Sequence, residues 1–257
     1  MTQHAPFTLP AQACTIDAVV IVGAGRMGTA LAAAAGAAGI AVHGPLRRGE
    51  APPADADAVL LCVPDAQIEP AAAALPARPG RLVGHTSAAT TLAALGAHEA
   101  FSLHPLMTVT AEGAAFAGAT AAIAGTSERA SAFADGLARR LGMHPVHIAD
   151  ADRVAYHAAA CVASNFLVTL EDVAERLART AGLGREPLVR LVRATVANWA
   201  QFGAERALTG PIARGDEVTV TRQRATVAER LPGDLELFDA LAEATGRLAA
   251  AAAVTAP

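Results

Sequence analysis

The sequence contains no lysine, because all 20 of its basic residues are arginine. A Schiff-base lysine, the phosphate-binding lysine of a P-loop and a lysine acting as general acid are therefore excluded. Aromatic residues make up only 4% of the 257 residues, with one Trp and one Tyr. So few rings cannot form a row that stacks on bases. No basic patch stands out at a net charge of −4, so we expect no nucleic-acid partner.

Cysteine is also scarce. Cys14, Cys62 and Cys161 are far apart and odd in number, which argues against a disulfide framework and against a zinc site. We therefore predict no metal and a reducing, cytoplasmic location. Residues 1–18 lack the segments of a signal peptide. Glycine and proline break residues 27–46, the longest run with few charges, so we expect no membrane span.

Alanine is the abundant residue, with 68 copies among the 257. Apolar residues make up 53% and charged residues 17%, which is enough for a core and excludes a disordered chain. Short apolar runs alternate with helical segments in the first part of the chain. This alternation predicts an α/β domain with a mostly parallel sheet over residues 1–150. The predicted strands are residues 18–22, 40–43, 57–63, 81–85, 100–103, 120–124 and 145–148.

The second part of the chain reads as all-α. Residues 151–181 contain neither Gly nor Pro and predict one long helix, of about 46 Å at about 1.5 Å per residue. Further helices are predicted over residues 187–208, 219–230 and 235–253. We therefore predict an all-helical second domain, residues 151–257, that holds the substrate.

A glycine-rich motif runs from Gly23 to Gly28, directly after the first strand and at the start of a helix. In the dinucleotide-binding pattern the first glycine makes a tight turn. Gly25 removes the Cβ that would block a pyrophosphate, and Gly28 lets the helix approach the strand. Arg26 and Met27 open the helix, whose free N–H groups favour phosphate. The motif predicts a Rossmann-type dinucleotide site; a glycine-rich turn without a ligand is the alternative.

The residues after the second strand indicate which dinucleotide. NAD sites place a carboxylate there for the ribose hydroxyl, but no carboxylate lies between Gly23 and Glu50. Arg47 and Arg48 occupy this region instead, and two guanidinium groups suit a 2′-phosphate. We therefore predict NADP. The alternative is that both arginines are solvated loop charges.

Polar residues follow the later strands, where open α/β sheets bind ligands. Val63 and Pro64 end the third strand and are expected beside the nicotinamide. His85 and Ser87 end the fourth strand, and His104 ends the fifth. Both histidines could exchange a proton near neutral pH or could merely cap a strand. We assign His104 as a proton donor, Ser87 as a polariser of the reacting atom and His85 to the substrate.

The long helix carries His157, Cys161, Ser164, Asn165 and Val168 on one predicted stripe. Its polar members must find partners, either in a pocket or in a helix–helix interface. We favour a pocket, with His157 as a second candidate for proton donor and Asn165 as a second polariser.

Two charged residues lie in a break between helices, residues 209–216. Arg214 has the fork that matches a substrate carboxylate. Asp216 could orient Arg214 in the substrate site, or it could cap the next helix. A plain helix connector would explain the same residues.

Five segments together carry a family resemblance: residues 23–28, 63–65, 102–106, 156–167 and 208–216. They resemble an uncharacterised bacterial family that joins a Rossmann-like NADP-binding domain to a C-terminal helical domain of unknown function, over about residues 15–250. More distantly, the architecture is similar to pyrroline-5-carboxylate reductase, prephenate dehydrogenase and the 6-phosphogluconate dehydrogenase C-terminal-like superfamily. These relatives imply hydride transfer and a homodimer formed through the helical domain.

The sequence departs from these relatives at two motifs. Many hydroxyacid dehydrogenases carry Lys-x-x-x-Asn on the long helix, but here Cys161 precedes Asn165. His104-Pro105 matches a prephenate dehydrogenase motif, yet the following residues do not continue it. We predict an NADP-dependent oxidoreductase that acts on a small, carboxylated carbonyl, imine or alcohol. An NADP-binding sensor without turnover and a prephenate-dehydrogenase-like enzyme remain as alternatives.

Overall fold

The computed structural model describes residues 16–111 and 113–255. The chain forms two compact units, the first ending at Ser164 and the second beginning at Asn165. This division falls within the long helix, whereas the sequence placed the boundary at residue 150. Cys14 lies outside the described residues.

The first unit contains one sheet of seven strands in the order β2-β1-β3-β4-β5-β6-β7. Neighbouring strands are parallel except that β6 is antiparallel to β5. The mostly parallel Rossmann-type sheet is therefore confirmed. The two strands that follow β1 lie on its opposite sides, which makes the β1/β3 crevice a topological switch point. The strands are β1 Ala18–Val22, β2 Ala41–Leu46, β3 Ala58–Leu61, β4 Leu82–His85, β5 Glu99–Leu106, β6 Thr120–Gly125 and β7 His144–His147.

Helices cover both faces of this sheet. One face packs with α1 (Arg26–Ala37) and α3 (Glu128–Arg140), and the other with α2 (Ile68–Ala73). Helix α3 was not predicted from the sequence, although Ser127 caps it by accepting the N–H of Ala130. Alternate residues of β1, β3, β4 and β5 supply the two buried clusters, as expected of strands covered on both sides.

The long helix is present but is not uniform. It comprises α4 (Arg153–Cys161), a π-helical turn over Val162–Phe166, and α5 (Leu167–Thr180). A π turn contains an extra residue, so the helix face after it is rotated relative to the face before it. The prediction of a single stripe from His157 to Val168 is therefore wrong.

The second unit continues with helices α6 (Arg185–Phe202), α7 (Ala204–Ala207), α8 (Glu217–Arg230) and α9 (Leu235–Thr255). Gly203, with φ +76°, separates α6 from α7, where the sequence predicted one helix. Within residues 165–253, Val227 is the one residue whose side chain is buried. In the part of the chain that the structure describes, no helix combines the length and apolar character needed to cross a membrane.

Candidate functional site

The strand register brings the predicted residues of the first unit to one edge of the sheet. Val22, Leu61, His85 and Ser102 lie side by side on neighbouring parallel strands. The segments that follow this row lie at the edge where β1, β3, β4 and β5 end, which we call the carboxyl edge. His104 lies two residues beyond Ser102 on β5 and so belongs to the same edge.

Three glycines shape the turn between β1 and α1. Gly23 has φ +112°, and a Cβ there would lie 2.3 Å from the carbonyl oxygen of Cys62. A Cβ on Gly28 would lie 1.9 Å from the oxygen of Gly23. Gly25 differs, because its backbone is extended and an added Cβ would meet nothing within 4 Å. Packing therefore requires two of the glycines, while Gly25 borders open space.

The N-terminus of α1 faces this open space. Gly25 is its N-cap and provides no side-chain hydrogen bond, and the first turn carries no acidic residue. The first amides of a helix have no partner within it and carry partial positive charge. This end of α1 therefore fits a phosphate group. Arg26 is exposed and Met27 is half-buried at the same end.

Arg47 and Arg48 are exposed and directly follow β2. The glycine turn is tied to the end of β2, because Gly23 donates its N–H to the carbonyl of Leu46 at 2.8 Å. The backbone of both arginines therefore lies close to the open space at Gly25. The Glu50 carboxylate accepts the backbone N–H of Arg47 at 2.6 Å, which folds this loop into a turn.

The loops after β3 and β4 are joined by side chains. Val63 and Pro64 lead from β3 to Asp65, and Ser87 donates its hydroxyl hydrogen to Oδ2 of Asp65 at 2.7 Å. The same Ser87 oxygen accepts the N–H of Thr90 at 2.9 Å. Its hydrogen is thus directed to a carboxylate, and its role as a polariser stays a prediction. Asp65 was not among the predicted site residues.

His85 is fully buried. Its Nδ1 accepts the N–H of Ser87 at 3.2 Å, so the ring hydrogen is on Nε2, which makes no well-formed hydrogen bond to the described residues. Burial, aided by the charge of Arg153, lowers its pKa to about 4, against smaller opposing contributions from the Thr91 backbone and from Asp65 and Asp150. The ring is neutral at physiological pH. It offers no surface to a ligand, which corrects the predicted substrate contact.

Arg153 is buried at the start of α4, with 2% of its surface exposed. Its Nε pairs with Asp150 at 2.7 Å, and its Nη2 donates to the hydroxyl of Ser102. Its Nη1 faces the carbonyls of Ser87 and Ala88 at 3.4 and 3.5 Å. This guanidinium therefore ties α4 to β5 and to the loop after β4. No pattern in the sequence indicates that Arg153 is buried, since most arginines are exposed.

His104 and Tyr156 meet at the carboxyl edge. Nδ1 of His104 lies 2.8 Å from the Tyr156 hydroxyl, and the rings pack edge-to-face with centroids 5.5 Å apart. Burial lowers the pKa of His104 to about 4, helped by His157 and Arg153 and opposed by Asp65. Burial raises the pKa of Tyr156 to about 12, against the charge of Arg153.

Both side chains of this pair are neutral at pH 7. The expectation that His104 titrates near neutrality is therefore wrong for the folded chain. Tyr156 was not among the predicted site residues, although it stands beside His157 in a segment that carried the family resemblance.

His157 and Asn165 are both exposed. His157 lies on α4, one residue after Tyr156. Asn165 is part of the π-helical turn, and its carbonyl accepts the hydroxyl hydrogen of Thr169 at 3.2 Å. Turns of this kind often occur at functional positions in helices.

Arg214 and Asp216 lie in the second unit. Arg214 is exposed at the end of a short 3-10 turn, Ile212–Arg214. Asp216 caps α8 by accepting the N–H of Thr219 at 3.0 Å and its hydroxyl hydrogen at 2.7 Å. The capping alternative is therefore what the structure shows for Asp216. These bonds lower the pKa of its carboxyl, with a smaller effect from the charge of Arg214.

Solved structures share this fold. The protein "putative NADP oxidoreductase BF3122" from Bacteroides fragilis is 20% identical with a TM-score of 0.79, over 91% of this chain and 100% of its own. Protein TM1727 from Thermotoga maritima is 22% identical with a TM-score of 0.76, over 90% and 99%. A reductive aminase from Aspergillus terreus, solved with NADPH and ethyl levulinate, is 18% identical with a TM-score of 0.67, over 91% and 93%.

A family model also matches the chain. Residues 119–245 match the family model described as a domain of unknown function, DUF2520. The match begins just before β6 and ends within α9, so it includes the last strands of the sheet together with the helices. No curated protein matches the sequence significantly.

Proposed function

We propose that this protein is an NADP-dependent oxidoreductase that transfers a hydride between NADP(H) and a small carbonyl, imine or alcohol carbon. The observation that carries this proposal is the glycine turn before α1. Gly25 faces open space at the N-terminus of a helix and has no packing reason to be glycine. A dinucleotide pyrophosphate would explain both the missing side chain and the free amides.

The residues around this turn fit the rest of the cofactor. Arg47 and Arg48 would bind the 2′-phosphate with charge-assisted hydrogen bonds. Val63 and Pro64, after β3, would line the nicotinamide side. The bound dinucleotide would supply the hydride, while the protein would orient the reactants and control protons. The names of BF3122 and of the reductive aminase, which refer to NADP and NADPH, support this choice of cofactor.

On the substrate side, we propose that Arg214 binds a carboxylate of the substrate. Asn165 and Ser87 would polarise the reacting oxygen or nitrogen, and His157 remains a candidate for proton exchange. These assignments rest on chemistry: a guanidinium matches a carboxylate, and an amide or hydroxyl can donate to a developing anion. Changing Arg214 to Ala should raise KM much more for a carboxylated substrate than for a neutral analogue.

The cofactor is tested by titrating the protein with NADPH and with NADH while following nicotinamide fluorescence. We expect NADPH to bind at least tenfold more tightly. Changing both Arg47 and Arg48 to Ala should remove this preference, whereas Arg190→Ala on α6 serves as the exposed control.

Gly25→Val should abolish binding without loss of folding, because the added side chain enters the open space. Equal affinity for the two cofactors would contradict NADP, and tight binding without turnover would favour a sensor.

We further propose that the helical unit forms a homodimer. Within residues 165–253 only Val227 is buried, while Leu191 and Trp199 on α6 are 64% and 58% exposed. Helices gain most of their stability from packing an apolar face, so a unit with these apolar surfaces uncovered favours association. Sedimentation velocity should show a dimer, and Trp199→Glu should shift it to the monomer, while Arg190→Ala should leave it intact.

A further inference from the structure

Two titratable side chains meet where β5 ends. Nδ1 of His104 lies 2.8 Å from the Tyr156 hydroxyl, and the planes of the two rings are at 87° to each other. Tyr156 lies three residues after Arg153, which is fixed by Asp150 and Ser102. The phenol is therefore attached to an anchored part of α4. Both rings are only partly buried, so the pair remains open to a small molecule.

We propose that Tyr156 is the catalytic proton donor of the reductase and that His104 is the positioning residue that relays a proton to it. This assignment rests on the proposed function and extends it. It replaces a histidine cation as the acid with a neutral phenol and imidazole pair.

The proton transfers balance, and they leave the pair neutral at the end of the reduction. During reduction, the substrate heteroatom takes the hydroxyl proton of Tyr156. The phenolic oxygen then takes the proton from Nδ1 of His104, and Nε2 of the same ring takes one from solvent. One proton leaves the pair and one enters, so only the imidazole tautomer changes, and exchange of the ring protons with solvent restores Nδ1–H before the next turnover. A bound reduced nicotinamide dinucleotide would supply the hydride to the carbon, and oxidation would run the same proton transfers in reverse.

The surrounding charges favour this neutral pair over an imidazolium acid. Arg153 and His157 on α4 disfavour a cation on His104, and Asp65 after β3 opposes them more weakly. Arg153 also favours negative charge on the phenolic oxygen, against the effect of burial. That interaction assists the phenol at the moment when its proton leaves. At neutral pH, both groups are therefore present in the protonation states that the relay requires.

The kinetic test uses Tyr156→Phe and His104→Asn, with His147→Asn on the exposed edge of β7 as the matched control. NADPH oxidation is measured with pyruvate, 2-oxoglutarate and 1-pyrroline as probes. Tyr156→Phe should lower kcat by about 100-fold or more, the usual range for a lost general acid. His104→Asn should lower it by about tenfold, since the hydroxyl remains but the relay is lost. The Kd for NADPH should stay within about twofold in all three variants, because the proposal assigns Tyr156 and His104 to proton transfer and not to cofactor binding.

A spectroscopic test does not depend on turnover. Tyr156 is the only tyrosine of the chain, so Tyr156→Phe removes the one phenol that the chain contains. In protein with ¹⁵N-labelled histidine and bound NADPH, the ring nitrogens of His104 should show neutral, averaged tautomers between pH 6 and 10. Tyr156→Phe should fix one tautomer, whereas His147→Asn should leave the wild-type pattern. A merely structural hydrogen bond would instead hold a single tautomer in the wild type.

The outcomes separate the two proposals. If the wild type binds no NADPH, the proposed function fails and the relay fails with it. If the wild type oxidises NADPH and Tyr156→Phe does so within threefold, the relay fails and the oxidoreductase stands. If NADPH binds but no probe is reduced, the ¹⁵N spectra of His104 test the relay. A single fixed tautomer of His104 in the wild type would overturn it, and averaged tautomers would support it.

Discussion

A Cβ atom on Gly28 would lie 1.9 Å from the carbonyl oxygen of Gly23, far inside van der Waals contact. Because the obstacle is backbone, no side-chain movement can relieve it. We expect Gly28→Ala to lower the free energy of unfolding by about 3 kcal/mol or more. The added methyl group would clash with the backbone of Gly23, and relieving the clash would strain and displace the backbone. Urea denaturation followed by circular dichroism measures the change.

Gly36 provides the control on the same helix. A Cβ there meets nothing within 4 Å. Gly36→Ala should therefore raise the free energy of unfolding by about 0.5–1 kcal/mol, because alanine restricts the unfolded chain and favours the helix. Similar stability of the two variants would show that the Gly23–Gly28 contact does not limit the approach of α1.

Arg81 is a second stability determinant that lies away from the candidate site. It is buried, and its guanidinium donates to the carbonyls of Ala54, Ala56 and Pro76 at 2.5, 3.0 and 3.2 Å. Arg81→Met should lower the free energy of unfolding by about 2–4 kcal/mol, since these buried carbonyls lose charged donors. The comparison is Arg140→Met, because Arg140 also donates to two carbonyls but is exposed. A loss no larger than that of Arg140→Met would contradict the expectation.

The sequence predicted the strands and the glycine turn because local patterns determine them. A short apolar run such as residues 18–22 is typical of a buried strand, and Gly23–Gly28 after it predicts the phosphate site. Parallel pairing then brings separate segments to one edge, so the ends of the fourth and fifth strands, with His85 and His104, could be expected at the same edge from strand order alone. The antiparallel β6 was not predicted, since an apolar run carries no sign of its direction.

The protonation states and partners at the site could not be predicted. They depend on burial and on contacts between residues far apart in sequence, such as the bond between His104 and Tyr156. The same is true of Arg153, whose buried partners lie on other elements. The π-helical turn at Val162–Phe166 leaves no trace in a 3.6-residue pattern, and it changes which residues share a face.

His85 should make stability depend on pH. Burial lowers its pKa from 6.5 to about 4 in the folded chain. Below pH 6.5 the unfolded chain binds a proton that the folded chain does not bind until about pH 4. Stability is therefore complete above pH 6.5 and falls as the pH decreases towards 4, by about 3 kcal/mol from this group. His104 contributes in the same direction.

Urea denaturation at pH 7 and at pH 4.5 measures this loss. His85→Asn keeps an acceptor for the N–H of Ser87 but does not titrate, so its loss between the two pH values should be smaller than that of the wild type. His147→Asn, an exposed control, should behave as the wild type does. An equal loss in His85→Asn and wild type would show that His85 is not the group that titrates.

Variants of Ser87 and Asp65 distinguish a structural role of the Ser87 hydroxyl from a catalytic one. Ser87 donates to Asp65 at 2.7 Å and accepts the N–H of Thr90 at 2.9 Å. A double-mutant cycle of Ser87→Ala and Asp65→Asn should give a coupling of about 1–2 kcal/mol in the free energy of unfolding, the range for a hydrogen bond to a charged group. If Ser87 mainly holds Asp65, both single variants should change NADPH oxidation equally, and the double variant no further. Additive losses in stability would show that the bond contributes nothing. A drop in kcat confined to Ser87→Ala would support the proposed role of this hydroxyl as a polariser.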